Sequence, residues 1–195
     1  MKSSVTSEQT TAASPGLSDP ELQKITIPYY MLSALRSDHA GEAGAVEIYR
    51  GILTVTRDDT VRAFAQEHLQ TERRHLALIE SIVPLGERSR LLALCRWAGW
   101  ITGALPALFG APAVYRTIEA VESFVDAHYR QQVEVLEHKP DQSELRGLLE
   151  SCRADEIAHR DDARSRLDKP RWIGRLWSWL IARGSEAGVR LVMRF

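Results

Sequence analysis

Apolar residues recur with a helical period in four stretches of this chain. Between residues 59 and 83, Val61, Phe64, Ala65, Leu69, Leu76, Ile79 and Val83 share one face of a 3.6-residue helix. Between 143 and 167, Leu145, Leu148, Leu149, Cys152, Ala163 and Leu167 do the same. Leu35, Val46, Tyr49 and Leu53 mark a helix over 28–55, and Ile118, Val121, Val125, Tyr129 and Leu136 mark one over 113–137. Pro28 opens the first helix, Arg57 and Asp58 turn the chain, and Asp59 is the expected N-cap of the second. Pro84 and Gly86 end the second, and His138, Lys139 and Pro140 end the third. Asp141 or Ser143 is expected to cap the fourth, which Lys169 and Pro170 stop. A shorter amphipathic helix should run from Trp172 toward the C-terminus. Nothing alternates like a strand, so the chain is predicted to be all-α, a four-helix bundle with one added helix.

Four glutamates interrupt these apolar stripes. Glu42 and Glu122 stand alone in the first and third helices, whereas Glu72 and Glu156 begin two Glu-x-x-His elements completed by His75 and His159. All six lie in phase with the inward face, so four carboxylates converge on one core. Each unpaired buried carboxylate costs several kcal/mol, and four together repel one another or take up protons. Two divalent cations would balance the charge, with two neutral imidazoles completing the coordination. One Glu from each of two helices plus Glu-x-x-His from each of two others is the donor set of a dinuclear iron or manganese site in a bundle. Solvated faces or buried salt bridges are the rival explanation, and they would have to account for the same coincidence on four helices.

Further residues gather round this set. Tyr49 and Tyr129 each follow a ligand glutamate by seven residues, two turns along the same face, as candidates to gate electrons or bind substrate, or as core residues with bonded hydroxyls. His39 and His128 come near the inward face, and with Asp38, Asp126, Asp155 and Asp161 they are candidates to orient the ligands. Glu119, one turn before Glu122, competes with it for the third-helix position.

At 195 residues the chain is long enough for one domain with a sizeable core, expected over 26–195. Residues 1–25, rich in Ser, Thr and Ala, read as a disordered lead-in without the features of a signal or transit peptide. A formal net charge of -1 argues against a general nucleic-acid binder. Cys95 and Cys152 are the sole cysteines, so no disulfide framework is expected and a reducing, cytoplasmic compartment fits.

The connection between the second and third helices changes the picture. From Trp97 to Tyr115 it carries no charged residue, a length that permits a membrane span. Gly99, Gly103, Pro106, Gly110 and Pro112 are expected to break a lone helix there repeatedly, and unpaired backbone is not tolerated in hydrocarbon. The segment 91–112 is therefore expected to lie in the membrane interface, with a cover over the end of the bundle as the alternative for part of it. All five Trp fall in it or in the C-terminal segment 172–195. From residue 164 onward, eight Lys and Arg stand against two acids. Tryptophan beside cationic charge suits an anionic bilayer surface. A C-terminal helix packed on the bundle with solvated arginines is the alternative.

Asp38-His39-Ala40-Gly41-Glu42, followed by Gly44-Ala45 and Ile48-Tyr49, resembles the first helix of the demethoxyubiquinone hydroxylase family of ubiquinone biosynthesis. Glu67-His68-Leu69 through His75, Glu119-Ala120-Val121-Glu122 through His128-Tyr129, and Asp155-Glu156 through His159 and Asp161 resemble its other three helices, in order and register. The likeness covers residues 26–195. One departure is Arg160, where a second His would be expected; the position is not a ligand. The resemblance implies a ferritin-like bundle holding two Fe ions (Fe2+/Fe3+) and a peripheral place on the cytoplasmic face of the inner membrane. It also implies O2-dependent hydroxylation of the ring of a polyprenylated demethoxyubiquinol. An external electron donor such as NADH, and membership of a ubiquinone-biosynthesis complex, belong to the same expectation. A ferritin-like protein that binds or oxidises iron without an organic substrate is the alternative.

Overall fold

The computed structural model describes residues 25–168 and 172–194. The disordered lead-in expected for 1–25 falls, except for Ile25, outside the described residues. Six α-helices account for most of the described chain: α1 Leu32–Val55, α2 Asp59–Ile82, α3 Leu92–Ala107, α4 Ala111–Leu136, α5 Ser143–Ser165 and α6 Trp172–Val192. α1 packs on α2 and α4 on α5, and these two hairpins form the four-helix bundle. α3 lies along α1 and touches α4, while α6 lies on α4 and reaches α1.

Two apolar clusters fill the ends of the bundle. One gathers Tyr49, Ile52, Phe64, Tyr115 and Ile118. The other gathers Leu35, Ile79, Tyr129, Leu136 and Leu149. The polar positions 42, 72, 75, 122, 156 and 159 fall midway between them along every helix. Burial of both clusters thus forces the carboxylates into the middle of the core.

Helix boundaries are close to those predicted, with two corrections at the caps. Asp58, not Asp59, caps α2: it sits in extended backbone and accepts from the amides of Thr60 and Val61 at 2.8 and 3.1 Å. Asp59 is the first helical residue, where its charge faces the positive end of the helix dipole. Neither Asp141 nor Ser143 caps α5. Asp141 belongs to a short 3-10 turn, Pro140–Gln142, and Ser143 is already helical.

The larger correction concerns α3. Gly99, Gly103 and Pro106 do not break it; the helix runs through all three. Gly99 and Gly103 are the points of closest approach to α1. A Cβ on Gly103 would lie 1.8 Å from the Ile48 carbonyl oxygen, one on Gly99 2.2 Å from that of Gly44, and one on Gly51 2.2 Å from that of Trp100. Pro106 sits in the last turn, one residue before the helix ends. Gly110 (φ 89°) makes the reversal into α4, and Pro112 occupies its first turn. No helix among the described residues is long and apolar enough to cross a membrane.

Because the α1–α3 contact is backbone against backbone, Gly103→Leu should lower stability by about 2–3 kcal/mol, a fall of roughly 5–10 °C in Tm. Gly147→Ala in α5, whose Cβ would meet nothing within 4 Å, should hold or raise Tm. Thermal melts followed by circular dichroism of both variants check this.

Candidate metal centre

Glu42, Glu72, His75, Glu122, Glu156 and His159 are all buried, none more than 6% exposed. They form two groups. Donor atoms of Glu42, Glu72, His75 and Glu156 lie within 4.8 Å of one another, and so do those of Glu72, Glu122, Glu156 and His159. Glu72 and Glu156 are common to both groups, so the cluster has two centres joined by two shared carboxylates.

The histidine nitrogens point inward. His75 Nδ1 lies 2.9 Å from Glu156 Oε1, and His159 Nδ1 lies 3.0 Å from Glu72 Oε1. Neither approach has hydrogen-bond geometry. Both nitrogens, with Glu42 Oε2, Glu72 Oε1 and both oxygens of Glu156, are buried without a hydrogen-bond partner. Unpaired buried polar atoms are rare because each forfeits its hydration. Six of them around one point form a donor set that a pair of cations would satisfy.

The electrostatics carry the same message. Burial pushes the Glu42 carboxyl well above the usual range, reinforced by Glu156 and Glu72 and opposed by His75. Burial likewise raises Glu122 and Glu72, with the charge of Glu156 adding to each. Glu156 is held below the usual range, because the imidazoles of His159 and His75 outweigh its own burial. Burial lowers His159, but Glu156 and Glu72 more than offset it and raise the ring to about 10. His75 is raised in the same way, against its burial, by Asp155, Glu156 and Glu42. Without cations, the raised groups of the cluster favour their protonated forms.

Outer contacts hold the donors. Tyr49 donates to Glu122 Oε1 at 3.0 Å, and Tyr129 donates to Glu42 Oε1. Each tyrosine, two turns beyond one single-carboxylate glutamate, thus braces the glutamate of the opposite helix. Both rings are fully buried core residues as well. Asp155 accepts from His75 Nε2 at 3.0 Å, which fixes the ring with Nδ1 facing the cluster. His68 is a partner that sequence reasoning passed over. Its Nε2 lies 3.1 Å from Asp162 Oδ2, its Nδ1 lies 3.4 Å from the Tyr49 hydroxyl, and its ring packs on His159 with centroids 4.2 Å apart. Burial and the neighbouring His159 lower His68 to about 4. A signal was present, since His68 lies one turn before Glu72 on the same stripe.

Of the remaining candidates, Asp38 and His128 line the cavity that leads to the cluster, and the others face away from it. Buried His39 places Nε2 3.2 Å from Glu80 Oε1. His128 places Nε2 3.1 Å from Asp38 Oδ1 and 3.0 Å from Ser37 Oγ, while Gln132 donates to Asp38. Asp126 pairs with Arg153 and Arg160, and Asp161 with Arg160. Arg160 is therefore an ion-pair bridge between α4 and α5. Glu119 pairs with Arg116 and Arg164 outside the core, which leaves Glu122 as the inward glutamate of α4.

A cavity of about 230 Å³ reaches the cluster between α1, α3, α4 and α6. Glu42, Glu72, Glu122 and Glu156 line its inner end, and residues such as Gly99, Thr102, Phe124, Val125, Gly188 and Val189 line its walls. The outer surfaces of α3 and α6 carry exposed Leu94, Trp97, Leu105, Trp172, Leu176 and Trp179.

An all-α bundle whose four helices each send a glutamate to one buried cluster, two of them with a histidine one turn on, is a ferritin-like carboxylate protein. A family model described as Ubiquinone biosynthesis protein COQ7 matches residues 30–192, and the chain belongs to that family. It is 36% identical over 131 residues to the 3-demethoxyubiquinol 3-hydroxylase of Rhodospirillum rubrum, covering 65% of this chain and 60% of that protein. Against the NADPH-dependent 3-demethoxyubiquinone 3-hydroxylase, mitochondrial, of Mus musculus it is 33% identical over 132 residues, 65% of this chain and 60% of that one. Its counterpart from Rattus norvegicus is 30% identical over 166 residues, 83% of this chain and 76% of that one. The chain thus spans about 60% of the length of the first two relatives.

A pH dependence follows for the metal-free protein. Glu42, Glu72, Glu122, His75 and His159 all have folded pKa values above their unfolded ones, about 4.5 for Glu and 6.5 for His. Above pH 6.5 His75 and His159, the latter raised to about 10, therefore hold protons that the unfolded chain has lost, and stability falls as pH rises; the raised glutamates act with the same sign from about pH 4.5 upward. The depressed groups act only lower, Glu156 below about 4.5 and His68 between about 4 and 6.5. Each extra proton gives a slope of about 1.4 kcal/mol per pH unit. Urea unfolding in the presence of a chelator should show stability dropping between pH ~7 and ~9, and saturation with metal should flatten the slope by displacing those protons.

Proposed function

We propose that the chain is a di-iron monooxygenase that hydroxylates the ring of a polyprenylated demethoxyubiquinol in ubiquinone biosynthesis. The reading rests on the two groups of buried donors sharing Glu72 and Glu156 at the inner end of an apolar-walled cavity. Glu42 with His75 would hold one iron, Glu122 with His159 the other, and Glu72 and Glu156 would bridge. When bound, the iron pair would supply O2 activation: one oxygen atom goes into the ring C–H bond, and the other leaves as water with two electrons from the donor and two protons. Tyr49 and Tyr129 keep Glu122 and Glu42 aimed inward, and Asp155 keeps His75 in its ligating tautomer. The cavity walls hold the quinol ring against the glutamates and exclude water, while its open side between α3 and α6 passes the isoprenoid tail.

The exposed Trp and Leu of α3 and α6 support a peripheral place at a membrane, and the proposal sets it on the cytoplasmic face of the inner membrane. The apolar segment 91–112 and α6 would lie in the interface, with the arginines of α6 facing anionic lipid. A long isoprenoid substrate has to be drawn from a bilayer. Residues 26–195 act as one unit. Reduced nicotinamide is the external electron source; the mammalian relatives' names specify NADPH, not the NADH expected at first. A ubiquinone-biosynthesis complex is the natural setting. Iron oxidation without an organic substrate would leave the apolar-walled cavity and the Trp-bearing helices beside it without a role.

Expression in a strain lacking this hydroxylation step should restore ubiquinone, and Glu72→Ala or His159→Ala should abolish the restoration. Accumulation of the demethoxy intermediate despite folded, metal-loaded protein would contradict the proposal. Purified protein should also gain stability from ferrous iron, about 2.7 kcal/mol at a hundredfold excess over Kd. His159→Ala should lose most of that gain in a thermal melt.

A further inference from the structure

A second concavity of about 370 Å³ lies between α4 and α6, outside the carboxylate cluster and its cavity. Arg116, Glu119 and Ser123 from α4 and Arg175, Ser178 and Trp179 from α6 line it. Two contacts fix its shape. Trp177 Nε1 donates to Thr117 Oγ1 at 2.8 Å, pinning α6 on α4. Gly174 lets the Arg116 side chain lie across α6, since a Cβ there would come within 2.9 Å of Arg116 Cδ and Nε.

The charge in this groove is unbalanced. Glu119 lies 3.5 Å from Arg116 and 2.9 Å from Arg164, so its carboxylate is already taken. Arg175 is exposed, and no carboxylate among the described residues pairs with it. Arg116 also donates to the Asp168 carbonyl at 3.2 Å, so Arg175 is the guanidinium of this groove left without a carboxylate among the described residues. The other exposed arginines of α6 differ, because Arg183 and Arg190 both pair with Glu186.

The groove also sits at a defined level. Trp172, Leu176, Trp179 and Leu180 form the exposed apolar stripe of α6. Arg175 lies one turn from Trp172 and from Trp179, at the edge of that stripe. Tryptophan settles at the level of the headgroups, so a helix resting on a bilayer by this stripe brings the groove against lipid phosphates. Arginine suits phosphate because its planar fork donates two parallel bonds.

We propose that the α4–α6 groove is a specific site for the phosphate of an anionic phospholipid, bound by Arg175 with Arg116, with Trp179 against the glycerol and upper acyl carbons. It rests on the membrane reading above and sharpens it. Diffuse attraction becomes one seated lipid, which fixes how the cavity between α3 and α6 faces the bilayer.

The full chain is tested by co-sedimentation with phosphatidylcholine vesicles and with vesicles that also contain phosphatidylglycerol. Arg175→Gln should weaken binding to the anionic vesicles about tenfold or more, as loss of a charge-assisted phosphate contact would. Arg183→Gln should cost no more than the roughly fivefold of one charge near an anionic surface. Arg175 is exposed, and matching melts of both variants show that neither effect is unfolding. Inorganic phosphate, compared with chloride at equal ionic strength, should not displace the protein. Equal weakening by the two variants overturns the site in favour of diffuse charge, and displacement by phosphate overturns it in favour of a free-anion site. Failure to bind either kind of vesicle removes the membrane reading, and the site with it.

Discussion

Four carboxylates share one low-dielectric core, and their mutual repulsion is the constraint around which the rest of this molecule is arranged. Hydrophobic burial of the two apolar clusters drives the helices together, yet the same closure strips water from Glu42, Glu72, Glu122 and Glu156. The fold answers in layers. Imidazoles face the carboxylates, tyrosines donate to the two outer glutamates, and Asp155 on α5 ties down His75 on α2. None of these cancels the charge. Protons can do so in the metal-free protein and a pair of cations can do so in its place, which links stability, pH and metal loading through one set of atoms.

The two halves of the site are similar but not equal. Each half has a single-carboxylate glutamate braced by the tyrosine of the opposite helix. Beyond that they diverge, since His75 donates outward to a carboxylate whereas His159 lies under the ring of His68. The cavity meets the four glutamates from the α1, α3, α4 and α6 side, while Asp155 and Asp162 lie on the α2–α5 side. The cavity and the aspartates that hold His75 and His68 thus lie on opposite sides of the bundle.

Much of this was legible from the chain because a helix converts spacing into direction. The phase of Glu42, Glu72, His75, Glu122, Glu156 and His159 against their apolar neighbours was enough to bring all six inward. What escaped depended on contacts between helices. Gly99 and Gly103 read as helix breakers, yet they keep α3 against the backbone of α1, and no local pattern shows which partner a glycine will meet. His39 and His128 had the right phase, but Glu80 and Asp38 lay nearer than the glutamates. Asp155 was one of several equivalent acids until α2 came beside it. His68 was the avoidable omission, being on the Glu72 stripe one turn away. The Asp58 cap was missed by one residue, because two adjacent aspartates are interchangeable until the backbone chooses one.

The most direct test is diffraction from crystals of iron-loaded protein at the iron absorption edge. Two anomalous peaks are predicted between α1, α2, α4 and α5, one in contact with Glu42 and His75, the other with Glu122 and His159, and both touching Glu72 and Glu156. A single peak elsewhere, or loaded protein with these six side chains in contact with no iron, would contradict the account.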